Sequence, residues 1–167
     1  RIWFADFDSD STNQDAKNQM YYSEEFKLNV KLFADVYFIK DSVQLITASI
    51  LDPIGSYYNL PKDKTAIYFI NLYFDLMEIQ RREFEAEFLN SDKSIATFNS
   101  LYEQRLEKME QLGKYYFEEA KHGTDEKALK KWNAIVLDKL GIDNRVFGGK
   151  WFNNKIMTKW ILDIILY

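Results

Sequence analysis

Cysteine is absent from these 167 residues and histidine occurs once. No disulfide framework and no thiolate metal site can be built, and most acid–base, nucleophilic and metal-binding constellations lose the side chains they depend on. The carboxylates that remain fall at no diagnostic spacing. No catalytic residue, metal ligand set or cofactor is therefore expected, and the chain is expected not to be an enzyme. The lack of cysteine assigns no compartment, because many exported proteins lack it too.

Proline and glycine are also scarce, at two and six. Such sparse punctuation favours a few long elements over many short strands. No stretch approaches the roughly 20 apolar residues of a membrane-spanning helix, and no segment has the pattern of a secretion signal. The first residue is Arg1 and not Met, so a removed signal or anchor is an expectation, and membrane contact is expected only through such a missing anchor. Ile2, Trp3 and Phe4 would suit either a stub beside it or a buried terminal segment. Localisation is left unassigned.

Hydrophobic residues make up 47% of the chain against 29% charged, which is ordinary for a globular protein. The length suits one domain spanning 1–167 that buries about two-thirds of its unfolded surface. Aromatic residues reach 17%, so the core should be built largely from rings, each burying about 150–250 Å².

After an irregular lead-in over 1–13, Leu32, Val36, Ile39, Val43, Ile46 and Ile50 step by four and three residues, which predicts one long helix ending near Leu51. Asp52, Pro53 and Gly55 signal a turn, and Pro61 opens a second helix with Ile67, Ile70, Phe74, Met77, Phe84 and Phe88 on its stripe. Asn90, Ser91 and Asp92 break it. A third helix carries Ile95, Phe98, Tyr102, Leu106, Met109 and Tyr116 and stops near Gly123. A short fourth begins at a Thr124 cap followed by Asp125 and Glu126, buries Leu129, Trp132 and Val136, and ends at Gly141. A basic, aromatic last helix is expected from Trp151, with Phe152, Ile156, Trp160, Ile161 and Ile164 facing the bundle. The expected fold class is all-α: three long helices, a short fourth and this terminal helix in a single-domain bundle.

Several sequence features resemble sites and fail on inspection. A calcium loop from Asp6 would want glycine and glutamate where Ser11 and Lys17 stand. Glu119 and His122 have the Glu-x-x-His spacing of di-iron bundles, but no second histidine exists to complete the pair. Glu83, Glu85 and Glu87 alternate, which on a helix spreads them around the axis as a solvated surface.

Two features point to recognition instead. Arg81 falls on the apolar stripe of the second helix, where a charge must snorkel, pair with a carboxylate or anchor an anionic ligand. Tyr57 with Tyr58, and Tyr115 with Tyr116, are adjacent pairs whose two rings cannot both face one core, so one of each should reach the surface. The charge is uneven as well: residues 1–60 and 61–120 each carry −4, and 121–167 carry +4. With an overall −4, nucleic acid is an unfavourable partner, and the basic segment is expected to dock on the acidic remainder or on another copy. The function expected is a non-enzymatic helical interaction or assembly module, the soluble part of a larger exported or anchored protein, with a protein partner or a homo-oligomer. The alternative is a small-molecule binder with an aromatic-lined pocket, and Arg81, Tyr57, Tyr58, Tyr115 and Tyr116 are its candidate ligand or interaction residues.

Overall fold

The computed structural model describes residues 1–6, 25–40 and 42–147. Four strands precede three helices: β1 (Phe26–Lys27), β2 (Val30–Ile39), β3 (Ser42–Leu51), β4 (Tyr57–Tyr58), α1 (Lys64–Leu89), α2 (Ile95–Glu119) and α3 (Glu126–Leu140). The chain is a mixed α/β protein, which overturns the all-α helical bundle. The last predicted helix, from Trp151, lies outside the described residues.

The correction falls on one segment. Where one long helix was expected to run to about Leu51, β2 and β3 form an antiparallel hairpin in which Val30 faces Leu51 and Ile39 faces Ser42. The β1–β4 pairing of Phe26 with Tyr58 closes its base. The six residues read as one helical stripe divide between two faces. Leu32, Val36 and Val43 fall on the inner face and Ile39, Ile46 and Ile50 on the outer one, because side chains alternate along a strand. Both faces are rich in apolar residues, so a period of 3.6 could be drawn through a pattern whose true period is two. Seven of the strand residues are β-branched: Val30, Val36, Ile39, Val43, Ile46, Thr47 and Ile50. Such side chains fit a pleated surface better than a helix. The two-residue turn was hidden because Lys40, at φ +53°, holds a left-handed position that Asn or Gly usually supplies.

The helices follow local rules closely. Asp63, Ser94 and Asp125 cap α1, α2 and α3 by accepting the N–H of Ala66, Thr97 and Ala128 at 2.9, 3.1 and 3.0 Å. The α3 cap is thus one residue beyond the expected Thr124. Gly141, at φ +71°, ends α3 in the left-handed conformation open to glycine.

α1 is the central element. Its first half is buried almost all round, from Ala66 to Met77, because α2, α3 and the hairpin all lie against it. Phe69, Tyr116, Phe84 and Phe88 are fully enclosed. Phe69 stacks on Tyr116 with centroids 5.2 Å apart, and Phe26 meets Phe69 edge-on at 5.5 Å, joining the hairpin base to the helical core.

Two polar groups on α1 bind the first residues and the segment after α3. Asn71 accepts the Ile2 N–H at 3.0 Å and donates to the Ile2 carbonyl at 2.9 Å. One turn on, Asp75 Oδ2 accepts from Arg1 Nη1 at 2.9 Å and from Asn144 Nδ2 at 2.7 Å. The Asn144 N–H in turn donates to Asn133 Oδ1 of α3 at 2.8 Å. Buried polar groups must be hydrogen-bonded, and this network satisfies them between segments about seventy residues apart.

A polar belt holds the hairpin on α1. Ser49 Oγ donates to Glu78 Oε2 at 3.0 Å, and Glu78 also receives Arg81 at 2.8 Å and Arg82 at 2.9 Å. Burial raises the Glu78 pKa, but the hydrogen bonds from Arg81, Arg82 and Ser49 outweigh it and hold the carboxyl at about 2. A carboxylate depressed in the folded state stabilises the fold above its unfolded pKa, near 4.3, and loses that contribution as pH falls through the folded value. The expected result is an acid limb in a stability–pH profile between about pH 5 and 2 that Glu78→Gln makes shallower. Urea melts across that range read it, and an identical limb in the variant would show the hydrogen bonds to be without consequence.

Candidate functional sites

Two surfaces qualify by geometry. The first is the free edge and outer face of the hairpin. A two-residue turn closes on a hydrogen-bonded pair, here Ile39–Ser42, so odd-numbered residues of β2 bond to β3 and even-numbered ones point their N–H and C=O outward. Tyr102 on α2 donates its hydroxyl to the Leu32 carbonyl at 3.0 Å and occupies that edge at its inner end. Among the described residues no strand pairs with the edge beyond it, from Ala34 to Phe38. Around this stretch the surface is apolar. Phe33, Tyr37, Ile39, Ile46 and Ile50 are each about half exposed on the outer face, and Phe38 is as exposed on the other.

The second is a cleft of about 440 Å³ where β4, the start of α1, the α2–α3 turn and the segment after α3 meet. Tyr58 and Tyr68 form its aromatic walls, with Leu60, Pro61 and Leu129 beside them. The Tyr68 hydroxyl donates to the Leu129 carbonyl at 3.1 Å. Burial pushes both phenols up to about 12, so they remain protonated. The nearby charges are segregated: Asp63 and Glu25 act on Tyr58, whereas Asp143, Arg145 and Glu126 act on Tyr68. At the Tyr68 end Lys130 lies 3.0 Å from Glu126, and Arg145 forms a two-pronged pair with Asp143 at 2.8 and 2.6 Å.

The rim is shaped by an uncommon backbone. Lys121, His122 and Gly123 are consecutive left-handed residues with φ of 45°, 56° and 92°, and the first two hold a conformation that side chains disfavour. The turn brings His122 to the cleft mouth, its ring 5.2 Å from Phe26. Gly123 lies so close to α1 that an added Cβ would be 3.0 Å from the Phe69 ring, which makes glycine necessary there for both space and conformation.

Of the sequence-predicted site residues, only Tyr58 lines the cleft. Arg81 is paired with Glu78 and Glu85 and bonded to Thr47 in the belt under the hairpin. Tyr57 is half-buried in β4. Tyr116 is fully enclosed and donates to the Phe69 carbonyl at 2.8 Å, while Tyr115 is exposed against Trp132 and Lys131. That pair does split between core and surface. Tyr68 carries no local signal, Lys130 and Arg145 stand out in sequence only as part of the basic segment, and His122 only through its Glu-x-x-His spacing or as a helix-end residue, so none of these patterns points to the cleft.

Among the described residues no group of three or more acidic or histidine side chains could hold a metal ion, and no helix is long and apolar enough to cross a membrane. Comparison with protein-family models, with curated proteins and with solved structures gave no match.

Proposed function

We propose that this chain is a non-enzymatic assembly module, and that the free β2 edge pairs with the same edge of a second copy. The observation that carries the reading is the self-complementarity of residues 33–39. A two-fold axis through Val36, normal to the sheet, sets Val36 against the partner's Val36 as a hydrogen-bonded pair. The same operation places Ala34 beside the partner's Phe38, small against large. It sets Phe33 beside the partner's Ile39, and Asp35 beside the partner's Tyr37; within one chain the Tyr37 hydroxyl already donates to Asp35. No like charges meet, and every apolar residue of the stretch finds an apolar neighbour.

Ser49 sits by Glu78 and Thr47 by Glu85, so the hairpin runs toward the C-terminal end of α1 and the axis at Val36 lies near that end. A two-fold axis normal to the sheet keeps both helical layers on one face, on opposite sides of the axis. The register then sets the partner's Lys40 opposite Leu32, beside Tyr102 of α2. A two-stranded ribbon is marginal alone, and the pairing would turn two of them into one four-stranded sheet.

Sedimentation velocity on the full chain at about 10–100 µM tests this, with a dimer expected. Phe38→Pro removes an outward N–H without breaking a β2–β3 bond, and Ile39→Glu places a charge against the partner's Phe33. Both are expected to sediment as monomers with unchanged circular dichroism. A monomeric parent chain, or a Phe38→Pro dimer as tight as the parent, overturns the proposal. So does a monomer that binds phosphatidylcholine vesicles through the same residues, which would make the tip a membrane wedge instead.

A further inference from the structure

We infer that the cleft between Tyr58 and Tyr68 binds an uncharged aromatic molecule of one or two rings that carries an N–H or O–H donor, of the chemical class of the indoles and phenols. A space of about 440 Å³ falls at the lower end of ligand pockets, which run from roughly 300 to 1,000 Å³. Two tyrosine rings and the aliphatic surfaces of Leu60, Pro61 and Leu129 wall it, so most of the surface it offers is apolar.

The charges around these walls are already matched. Arg145 is held by both prongs on Asp143 at 2.8 and 2.6 Å, and Lys130 lies 3.0 Å from Glu126. An anion would have to compete with those carboxylates for the arginine and lysine of the lining. A cation fares no better. The first turns of α1 and α3 border the cleft at Thr65 and Glu126, and an ammonium there would meet the positive ends of two helices. Asp63, at the start of α1, already accepts the Ala66 N–H with one carboxylate oxygen. A neutral ring system disturbs none of these pairs and still leaves water for the apolar walls.

Tyr68 sets the requirement for a donor. Its hydroxyl donates to the Leu129 carbonyl at 3.1 Å, so its one proton is committed and its lone pairs remain to accept. Arg145 and Glu126, both in the lining, act on this phenol, which sets its hydroxyl at their end of the cleft. An indole N–H or a phenol O–H supplies the missing donor at the edge of a flat apolar body.

The probe is tryptophol, an indole whose short arm ends in a neutral hydroxyl. Isothermal titration on the full chain compares it with tryptamine and indole-3-acetate, whose arms of similar length end in a positive and a negative group. Saturable binding of tryptophol is expected, with each charged relative weaker by roughly 10-fold or more. Indole should bind more tightly than 1-methylindole, which has lost the donor, by about 2- to 10-fold, the weight of one neutral hydrogen bond. In Tyr68→Phe that preference should vanish while 1-methylindole binds as it does to the parent. The inference fails if tryptophol shows no saturable heat up to about 5 mM, if either charged relative binds as tightly, if 1-methylindole matches indole on the parent chain, or if Tyr68→Phe keeps the preference. The probes on the parent chain decide the matter even where the variant does not fold.

Discussion

Phe69→Ala is expected to lower stability by about 3–5 kcal/mol, the range for removing an enclosed ring whose surroundings relax only in part. Phe69 is fully buried and touches three parts of the fold: Phe26 at the hairpin base, Tyr116 and Phe117 on α2, and the Gly123 turn. None of these can follow the shortened side chain without leaving another contact, so the cavity should persist. Urea denaturation should show a lower midpoint with an unchanged slope. Ile54→Ala, at a position 73% exposed, should stay within about 0.5 kcal/mol of the parent. A Phe69→Ala loss below about 1 kcal/mol would mean that the site collapses and that α1 is less constrained than its packing implies.

Asp75→Ala should be the next most damaging, at about 1–3 kcal/mol, because it leaves the buried Asn144 amide without its acceptor. The carboxylate is 4% exposed and receives both Arg1 and the fully buried Asn144. The Arg1 side chain is one-third exposed and can be rehydrated, so the cost concentrates on Asn144, which must stay enclosed with an unmet donor. Asp75→Asn keeps an acceptor in place and should cost less than Asp75→Ala. Hydrogen exchange adds a spatial reading: the amides of Ile2 and Asn144, held by Asn71 and Asn133, should exchange faster in Asp75→Ala. Unchanged protection at both would show that the Asp75 knot does not tie these two segments to α1.

The helical half of the protein was legible in the sequence for local reasons. Side chains at i, i+3 and i+4 share a face whatever surrounds the helix, so the stripes through Ile67, Ile70 and Met77 and through Tyr102, Met109 and Tyr116 identified α1 and α2 directly. Gly141 ends α3 as expected, whereas the N-caps Asp63, Ser94 and Asp125 fall one or two residues beyond the expected signals at Pro61, Asp92 and Thr124, since several neighbouring residues can each accept the same N–H. Arg81 broke the apolar pattern because it pairs with Glu78 and Glu85, two positions of its own helix, and reaches across to the hairpin.

The sequence by itself thus determined the existence of α1, α2 and α3, the Gly141 stop, and the absence of cysteine chemistry, all of which depend on residue type or on neighbours within one or two turns. Only the tertiary structure decided between helix and hairpin over residues 30–51. Apolar residues at both periods left the local preference undivided, and the choice was made by what the inner row could rest against: the face of α1 with Glu78 and Glu85 available to Ser49 and Thr47. The same holds for the sites. The Asp75 network, the cleft between Tyr58 and Tyr68, and the stop that Tyr102 places on Leu32 join residues distant in the chain. Such contacts leave no periodic trace, because their energy comes from burial and pairing that exist only once α1 has gathered the other elements around it.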